Sequence, residues 1–212
     1  MNEKELIASR AAALLQPGWV VNLGIGIPTL VTRFVDADSL CFQTENGLLG
    51  VGPPPEKDRV DPNLVDAGKR PVTERPGASY FDSATSFAMI RGGHVDAVIL
   101  GALQVDERGR VANWAIPGEP VLGVGGAMDL MSGARNVIVV MTHTAKDGAP
   151  KLVRECSLPL TSLRPVTWVV TELATFHVDG SGLALVECAP GVSVDTVRAR
   201  TAARFQEAAL RT

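Results

Sequence analysis

Thiols and imidazoles are scarce in this chain of 212 residues: Cys41, Cys156 and Cys188 are its three cysteines, and His94, His143 and His177 its three histidines. The cysteines are odd in number, far apart and in no C-x-x-C spacing, which argues against both a disulfide framework and a zinc site. They read as small, reduced core residues. The histidines are as dispersed, so no metal site is expected. Basic charge is not in excess. The 20 Lys and Arg stand against 23 Asp and Glu, for a formal net charge of -3, and no basic run stands out, so nothing points to nucleic acid. Long apolar runs are also missing. The chain opens charged, as Met1-Asn2-Glu3-Lys4-Glu5, without a signal pattern, and each later apolar run breaks within about ten residues, too short to span a bilayer. A soluble, cytoplasmic protein with no membrane partner is predicted.

The chain has length for one α/β domain with a sizeable core, so a single domain over residues 1–212 is expected. Ile7, Ala11, Leu14 and Leu15 recur at helical spacing before Gln16-Pro17-Gly18, predicting an amphipathic helix over 3–16. A strand through Trp19–Leu23 then runs into Gly24-Ile25-Gly26-Ile27-Pro28, after which Thr29 to Val35 can turn helical. Residues 40–44 read as a second strand ending at Glu45, because Asn46-Gly47 supplies a sharp turn. Residues 50–79, rich in proline, glycine and charge, read as an excursion too polar and broken for a core element. Asp82 can cap a helix ending at Arg91-Gly92-Gly93, and buried strands are expected over 95–100, 136–142 and 167–171. Hairpins are expected over 105–111 and 176–183, a glycine loop over 120–126, and a last helix from Ser193 to about Ala209 with Val194, Val197 and Phe205 on one face. Alternating helices and apolar strands indicate an α/β fold, a layered open sheet that is mostly parallel with hairpin additions.

Ligand sites in such sheets form beyond the carboxyl ends of strands, and the loops GIGIP and ENGLLG lie at two of them. Gly24-Ile25-Gly26 offers G-x-G after a strand, but position 29 is Thr29 where a dinucleotide fingerprint needs its third glycine. A tight turn explains that motif as well as a ligand does. Glu45 has three readings: surface turn residue, acceptor for loop amides, or functional carboxylate. Flanking Cys41-Phe42 and Leu48-Leu49 would impose a desolvation penalty of several kcal/mol on the charge unless donors offset it. Nothing near it in sequence supplies a second carboxylate or a histidine relay, which favours a nucleophile acting alone over acid–base work. His94 reads as a satisfied interior histidine, and Arg198, Arg200 and Arg204 as a solvated helix face.

Taken together, Asn22-Leu23-Gly24-Ile25-Gly26-Ile27-Pro28-Thr29, Glu45-Asn46-Gly47-Leu48-Leu49-Gly50, Asp66-Ala67-Gly68-Lys69, Ser86-Phe87-Ala88-Met89-Ile90-Arg91-Gly92-Gly93-His94 and Gly123-Val124-Gly125-Gly126-Ala127-Met128-Asp129-Leu130 resemble the β (B) subunit of the 3-oxoacid coenzyme A-transferases. The resemblance runs in order from the first helix to about Gly191. The family signature reads Ser-Glu-Asn-Gly, and here Thr44 keeps the hydroxyl. The resemblance implies the layered CoA-transferase fold and ping-pong transfer of CoA, with succinyl-CoA as donor and a short 3-oxoacid as acceptor. Glu45 would be the nucleophile, passing through acyl-glutamyl anhydride and glutamyl-CoA thioester. The amides of Gly125 and Gly126 would face the oxyanion, where each preorganised donor is worth roughly 3 kcal/mol; a turn before a helix is compatible with the same residues. Asn22, Gly24, Gly26, Asn46, Gly47 and Lys69 would lie along substrate and CoA. From the residues alone, Asn22 can equally cap a loop and Lys69 be a solvated turn lysine. No cofactor is implied, coenzyme A being a substrate. A partner α (A) subunit would complete an αβ or α2β2 assembly. The rival readings are an acyl-CoA hydrolase on the same scaffold and a non-catalytic CoA-binding partner subunit.

Overall fold

The computed structural model describes residues 1–121 and 123–208. Helix α1 (Glu3–Ala12) starts at a capping box in which the Asn2 side chain accepts from the Glu5 amide and the Glu5 carboxylate accepts from the Asn2 amide. It ends four residues short of the expected Gln16, because Pro17 disfavours helical geometry just before it and Ala13 to Leu15 finish in tight turns. Next come β1 (Val20–Leu23), a 3-10 segment over Ile27–Arg33, β2 (Cys41–Thr44), β3 (Leu48–Val51) and β4 (Glu74–Tyr80). Helix α2 (Ser83–Arg91), capped by Asp82 as expected, leads into β5 (Ala97–Gly101), and the hairpin of β6 (Gln104–Asp106) and β7 (Val111–Ala112) follows. Helix α3 (Ala127–Gly133), β8 (Asn136–Val140), β9 (Leu152–Val153), β10 (Trp168–Val170), β11 (Ala174–Asp179), β12 (Gly182–Cys188), α4 (Val194–Ala199) and β13 (Phe205–Glu207) complete the order.

Ten strands form one sheet in the order β13-β12-β11-β10-β8-β5-β1-β2-β3-β4. The central five, β10-β8-β5-β1-β2, are all parallel, while β3 with β4 and β11 with β12 add antiparallel hairpins at the two flanks. From β1 the chain steps to β2 on one side and later to β5 on the other, so the order reverses between β1 and β5. Ligands bind at such a switch point in open α/β sheets. Buried residues alternate between the two faces: Val98, Leu100, Val137 and Val139 pack toward α2, α3 and the small sheet β7-β6-β9, and Ile99, Ile138 and Val140 pack toward α1. That two-sided burial is why these strands read as nearly continuous apolar runs.

Several expectations fail here. The last helix stops at Ala199, because the Ala202 and Ala203 amides donate to the Leu152 carbonyl and Phe205 then joins β12 as strand β13. Phe205 meets the Phe176 ring edge-on, with centroids 5.5 Å apart, in place of lying on a helix face. Ala209, the expected helix end, and Leu122 of the glycine loop lie outside the described residues. The excursion over 50–79 contains the start of β4, whose mostly exposed residues pair with β3 at the sheet edge. The three cysteines are free but half-buried, not core residues. His94 is exposed, and the interior histidine is His143. Of the expected arginine face, Arg204 lies beyond the helix and pairs with Glu107, while Arg198 pairs with Glu207.

Candidate active site

Residues from four separate stretches meet beyond the carboxyl ends of β1 and β2. Parallel pairing of these strands sets Asn22 opposite Gln43, two residues before Glu45. Asn22 is fully buried, and its Nδ2 donates to Gln43 Oε1 at 2.6 Å and to Glu45 Oε2 at 3.2 Å. The Glu45 side chain is half-buried, so its charge is offset by an amide donor and by solvent, and among the described residues no ion pair involves it. A carboxylate oriented in this way, without a tight ion pair to blunt it, is chemically able to act as a nucleophile.

The turn after Glu45 has little freedom. Gly47 has φ +122°, and a Cβ there would stand 2.1 Å from the Phe81 carbonyl oxygen, so only glycine fits. Thr44 explains its own hydroxyl. It donates to Asn46 Oδ1 at 2.7 Å and accepts from the Ala67 amide at 2.9 Å, while Asn46 Nδ2 donates to the Val65 carbonyl at 2.8 Å. Those three bonds bind the Asn46-Gly47 turn to the Asp66-Ala67-Gly68-Lys69 loop, which is held closed by the Asp66–Arg70 ion pair. Gly68 in turn packs against Ile25 of the GIGIP loop, 3.3 Å from a Cβ position to Ile25 Cγ1. The fourth wall is Gly126, buried at the N-cap of α3. A Cβ on it would lie 3.4 Å from Glu45 Cγ and 3.3 Å from the Phe87 ring.

Of the residues singled out in the sequence, Asn22, Glu45, Asn46, Gly47 and Gly126 are therefore gathered in one place. Gly125 adjoins them, exposed and with φ +55°. Lys69 arrives through the backbone of its loop; its side chain is exposed, and its φ of +62° is a strained conformation for a residue with a Cβ. Gly24 serves packing: its amide donates to the Ile99 carbonyl at 2.8 Å, and a Cβ there would press on Leu100. Gly26 is exposed with open space around it. Sequence reasoning missed Gln43, Ser86 and Phe87. Their signal is a polar side chain in each of two adjacent buried strands, Asn22 and Gln43, which has meaning only once the register is known.

A separate cleft lies away from Glu45. About 510 Å³ in volume, it is lined by Glu107, Arg108, Asp179, Ser181 and Arg204. Asp179 ends β11, which runs antiparallel to β10, so this cleft sits at the amino end of the parallel strands, opposite Glu45. Arg204 and Glu107 pair with each other across it. Among the described residues, no group of three or more His, Cys, Asp or Glu side chains is arranged to hold a metal ion, and no helix is long and apolar enough to cross a membrane.

The coenzyme A transferase family model matches residues 4–200. The chain belongs to the coenzyme A transferase family. It is 50% identical over 203 residues, 96% of its length, to the B-type subunit of the succinyl-CoA:3-ketoacid coenzyme A transferase of Helicobacter pylori, and covers 98% of that protein. It is likewise 50% identical over 210 residues to the beta subunit of the acetate CoA-transferase of Escherichia coli, covering 99% of this chain and 96% of that one. Among solved structures it resembles an acyl-CoA transferase apoenzyme from Escherichia coli O157:H7, with a TM-score of 0.78 and 24% identity over 98% of this chain. The chain spans 42% of that longer transferase, which matches it in fold. The α/β class and its mostly parallel sheet with hairpin flanks are thus those of a CoA-transferase.

Proposed function

We propose that this transferase chain is the catalytic β subunit, folded as one domain, of an enzyme that moves CoA from succinyl-CoA to a short 3-oxoacid carboxylate, with Glu45 as nucleophile. The observation that carries the reading is the Asn22–Glu45–Gly126 cluster: a carboxylate oriented by one buried amide and backed by the glycine that starts α3, at the carboxyl ends of the strands beside the switch point. The names of the half-identical relatives, which divide between 3-ketoacid and acetate transfer, support the reaction class.

A Glu45 carboxylate oxygen adds to the thioester carbonyl of the donor and expels CoA thiolate, leaving an acyl-glutamyl anhydride. The thiolate then adds to Glu45 Cδ and expels the donor's carboxylate, leaving glutamyl-CoA thioester. The acceptor carboxylate attacks the same Cδ, releasing thiolate and forming a second anhydride. Attack of thiolate on the acceptor's acyl carbon gives the new acyl-CoA and restores Glu45. Each addition makes a tetrahedral oxyanion, for which the Gly125 and Gly126 amides are the donors and the Asn22 amide holds the second Glu45 oxygen. Binding energy from the remote parts of CoA drives the uphill anhydride step. Asn46, Gly47 and the Lys69 loop shape the substrate side. The residues require no metal and no resident cofactor in this scheme.

The site is open, and the exposed apolar Ile25 and Met128 beside its walls support an α subunit that closes it in an αβ or α2β2 assembly. The cytoplasm is the compartment we assign. The test is to mix the chain and its α partner with succinyl-CoA, then look by mass spectrometry for CoA joined to the peptide containing Glu45. The expected result is that adduct, its loss in Glu45→Ala, and transfer to acetoacetate in preference to acetate. Transfer that survives Glu45→Ala refutes the nucleophile assignment, and rapid CoA release without any acceptor identifies a hydrolase instead.

A further inference from the structure

Behind Asn22 the hydrogen bonds continue into the core. Gln43 is 4% exposed and Ser86 fully buried. Gln43 Oε1 accepts from Asn22 Nδ2 at 2.6 Å, and Gln43 Nε2 donates to Ser86 Oγ on α2 at 2.9 Å. We propose that Gln43 is a positioning residue for the nucleophile, fixing the Asn22 amide so that it presents N–H, and not C=O, to Glu45. The inference rests on Glu45 being the nucleophile.

An amide can turn over, exchanging its oxygen and nitrogen with little change of shape. Turned over, Asn22 would set Oδ1 3.2 Å from a Glu45 carboxylate oxygen, lone pairs against negative charge. The short bond to Gln43 Oε1 opposes that state, because turning Asn22 alone would also set two acceptors face to face. Both amide hydrogens of Asn22 are thereby used, one on Gln43 and one on Glu45. The cost is visible at the other atom: among the described residues Asn22 Oδ1 is buried without a hydrogen-bond partner. An unsatisfied buried acceptor is unfavourable, and the two bonds donated by Nδ2, one of them to a carboxylate, outweigh it. Ser86 can donate as well as accept, so it anchors Gln43 to α2, and the polarity of the chain is set at its other end, where a carboxylate oxygen of Glu45 accepts. Gln43 is too deep to touch substrate. Its effect must therefore pass through Asn22.

The test compares the native αβ complex with complexes carrying Gln43→Leu, Asn22→Ala and both together. It follows the rate of glutamyl-CoA adduct formation, kcat, KM for acyl-CoA, and the melting temperature. Expected for Gln43→Leu is a fall in adduct rate and kcat of roughly tenfold to a hundredfold, the effect of losing one hydrogen bond to a charged group, with KM nearly unchanged. Added to Asn22→Ala, Gln43→Leu should cost nothing further. A folded Gln43→Leu complex with an unchanged adduct rate overturns the proposal, as does a full additional loss in the double variant. Should Gln43→Leu not yield a folded complex, Ser86→Ala removes only the anchor; a several-fold slower adduct supports the proposal and an unchanged rate overturns it. If the native complex itself forms no adduct on Glu45, the nucleophile reading fails and takes this one with it. An adduct in the native complex with unaltered variants sinks the positioning role alone.

Discussion

Replacing His143 by glutamine should flatten the acid side of the stability profile. The imidazole is fully buried, and each ring nitrogen has a hydroxyl partner, Nδ1 to Thr171 Oγ1 at 2.9 Å and Nε2 to Thr201 Oγ1 at 2.8 Å. Each hydroxyl also has a carbonyl within reach, Val197 for Thr201 at 2.7 Å and Ala174 for Thr171 at 3.1 Å. Both ring nitrogens thus meet neutral hydroxyl oxygens and no carboxylate. Burial first, and the Arg200 charge second, push its pKa down from 6.5 to about 4; the nearby Glu172 carboxylate spends its oxygens on the His143 backbone amide. The folded pKa lies below the unfolded one, so the unfolded chain takes up the proton first. Stability is therefore fully present above pH 6.5 and is lost as the pH falls toward 4. For those two pKa values the loss between about pH 7.5 and pH 4.5 is about 2.5 kcal/mol, a large part of the roughly 5–15 kcal/mol that holds a domain together. Urea unfolding at the two pH values, with native chain and His143→Gln, measures it. The native chain should lose about 2.5 kcal/mol more than the variant over that range. Equal losses would refute a histidine held neutral by its surroundings.

Two further substitutions test the walls of the site. Thr44→Ser keeps the hydroxyl that joins Asn46 to Ala67 and should leave the transfer rate within about twofold, whereas the isosteric Thr44→Val strands both partners at a cost of roughly 1–3 kcal/mol, seen as a melting point lowered by about 3–10 °C. Gly47→Ala drives a Cβ into the Phe81 carbonyl at positive φ and should melt at least about 10 °C lower, while Gly26→Ala, also at positive φ but with nothing within 4 Å, should cost only about 1–2 kcal/mol of backbone strain; similar losses in a thermal melt would contradict the packing described.

The strand–turn–carboxylate unit around Glu45 was readable because its parts are adjacent in the chain: a short apolar strand, then Asn46-Gly47. The buried strands β5, β8 and β10 were readable as apolar runs for the same reason. What failed depended on partners distant in sequence. Phe205 carries helical spacing, but pairing with β12 and the Phe176 ring outweighed a weak local preference. His94 follows Gly92-Gly93 and His143 stands between Thr142 and Thr144, and only the fold tells which faces inward. Gln43 looked like an ordinary strand residue until register placed it beside Asn22. Glu45 was singled out by its setting, and the family motifs supplied its role.

The walls around Glu45 also bear on how the chain folds. They are delivered in order from residues 22, 44 to 47, 65 to 68 and 126, and β1 completes its pairing only when β5, far along the chain, docks beside it. Closing parallel strands across such separations is slow, and a nascent chain exposes one edge of β1 until β5 is made. The Glu45 carboxylate is thus made early and housed late. Until α3 brings Gly126 against it, Glu45 is a solvated side chain in an unfinished sheet, so the cluster around it is complete only near the end of folding.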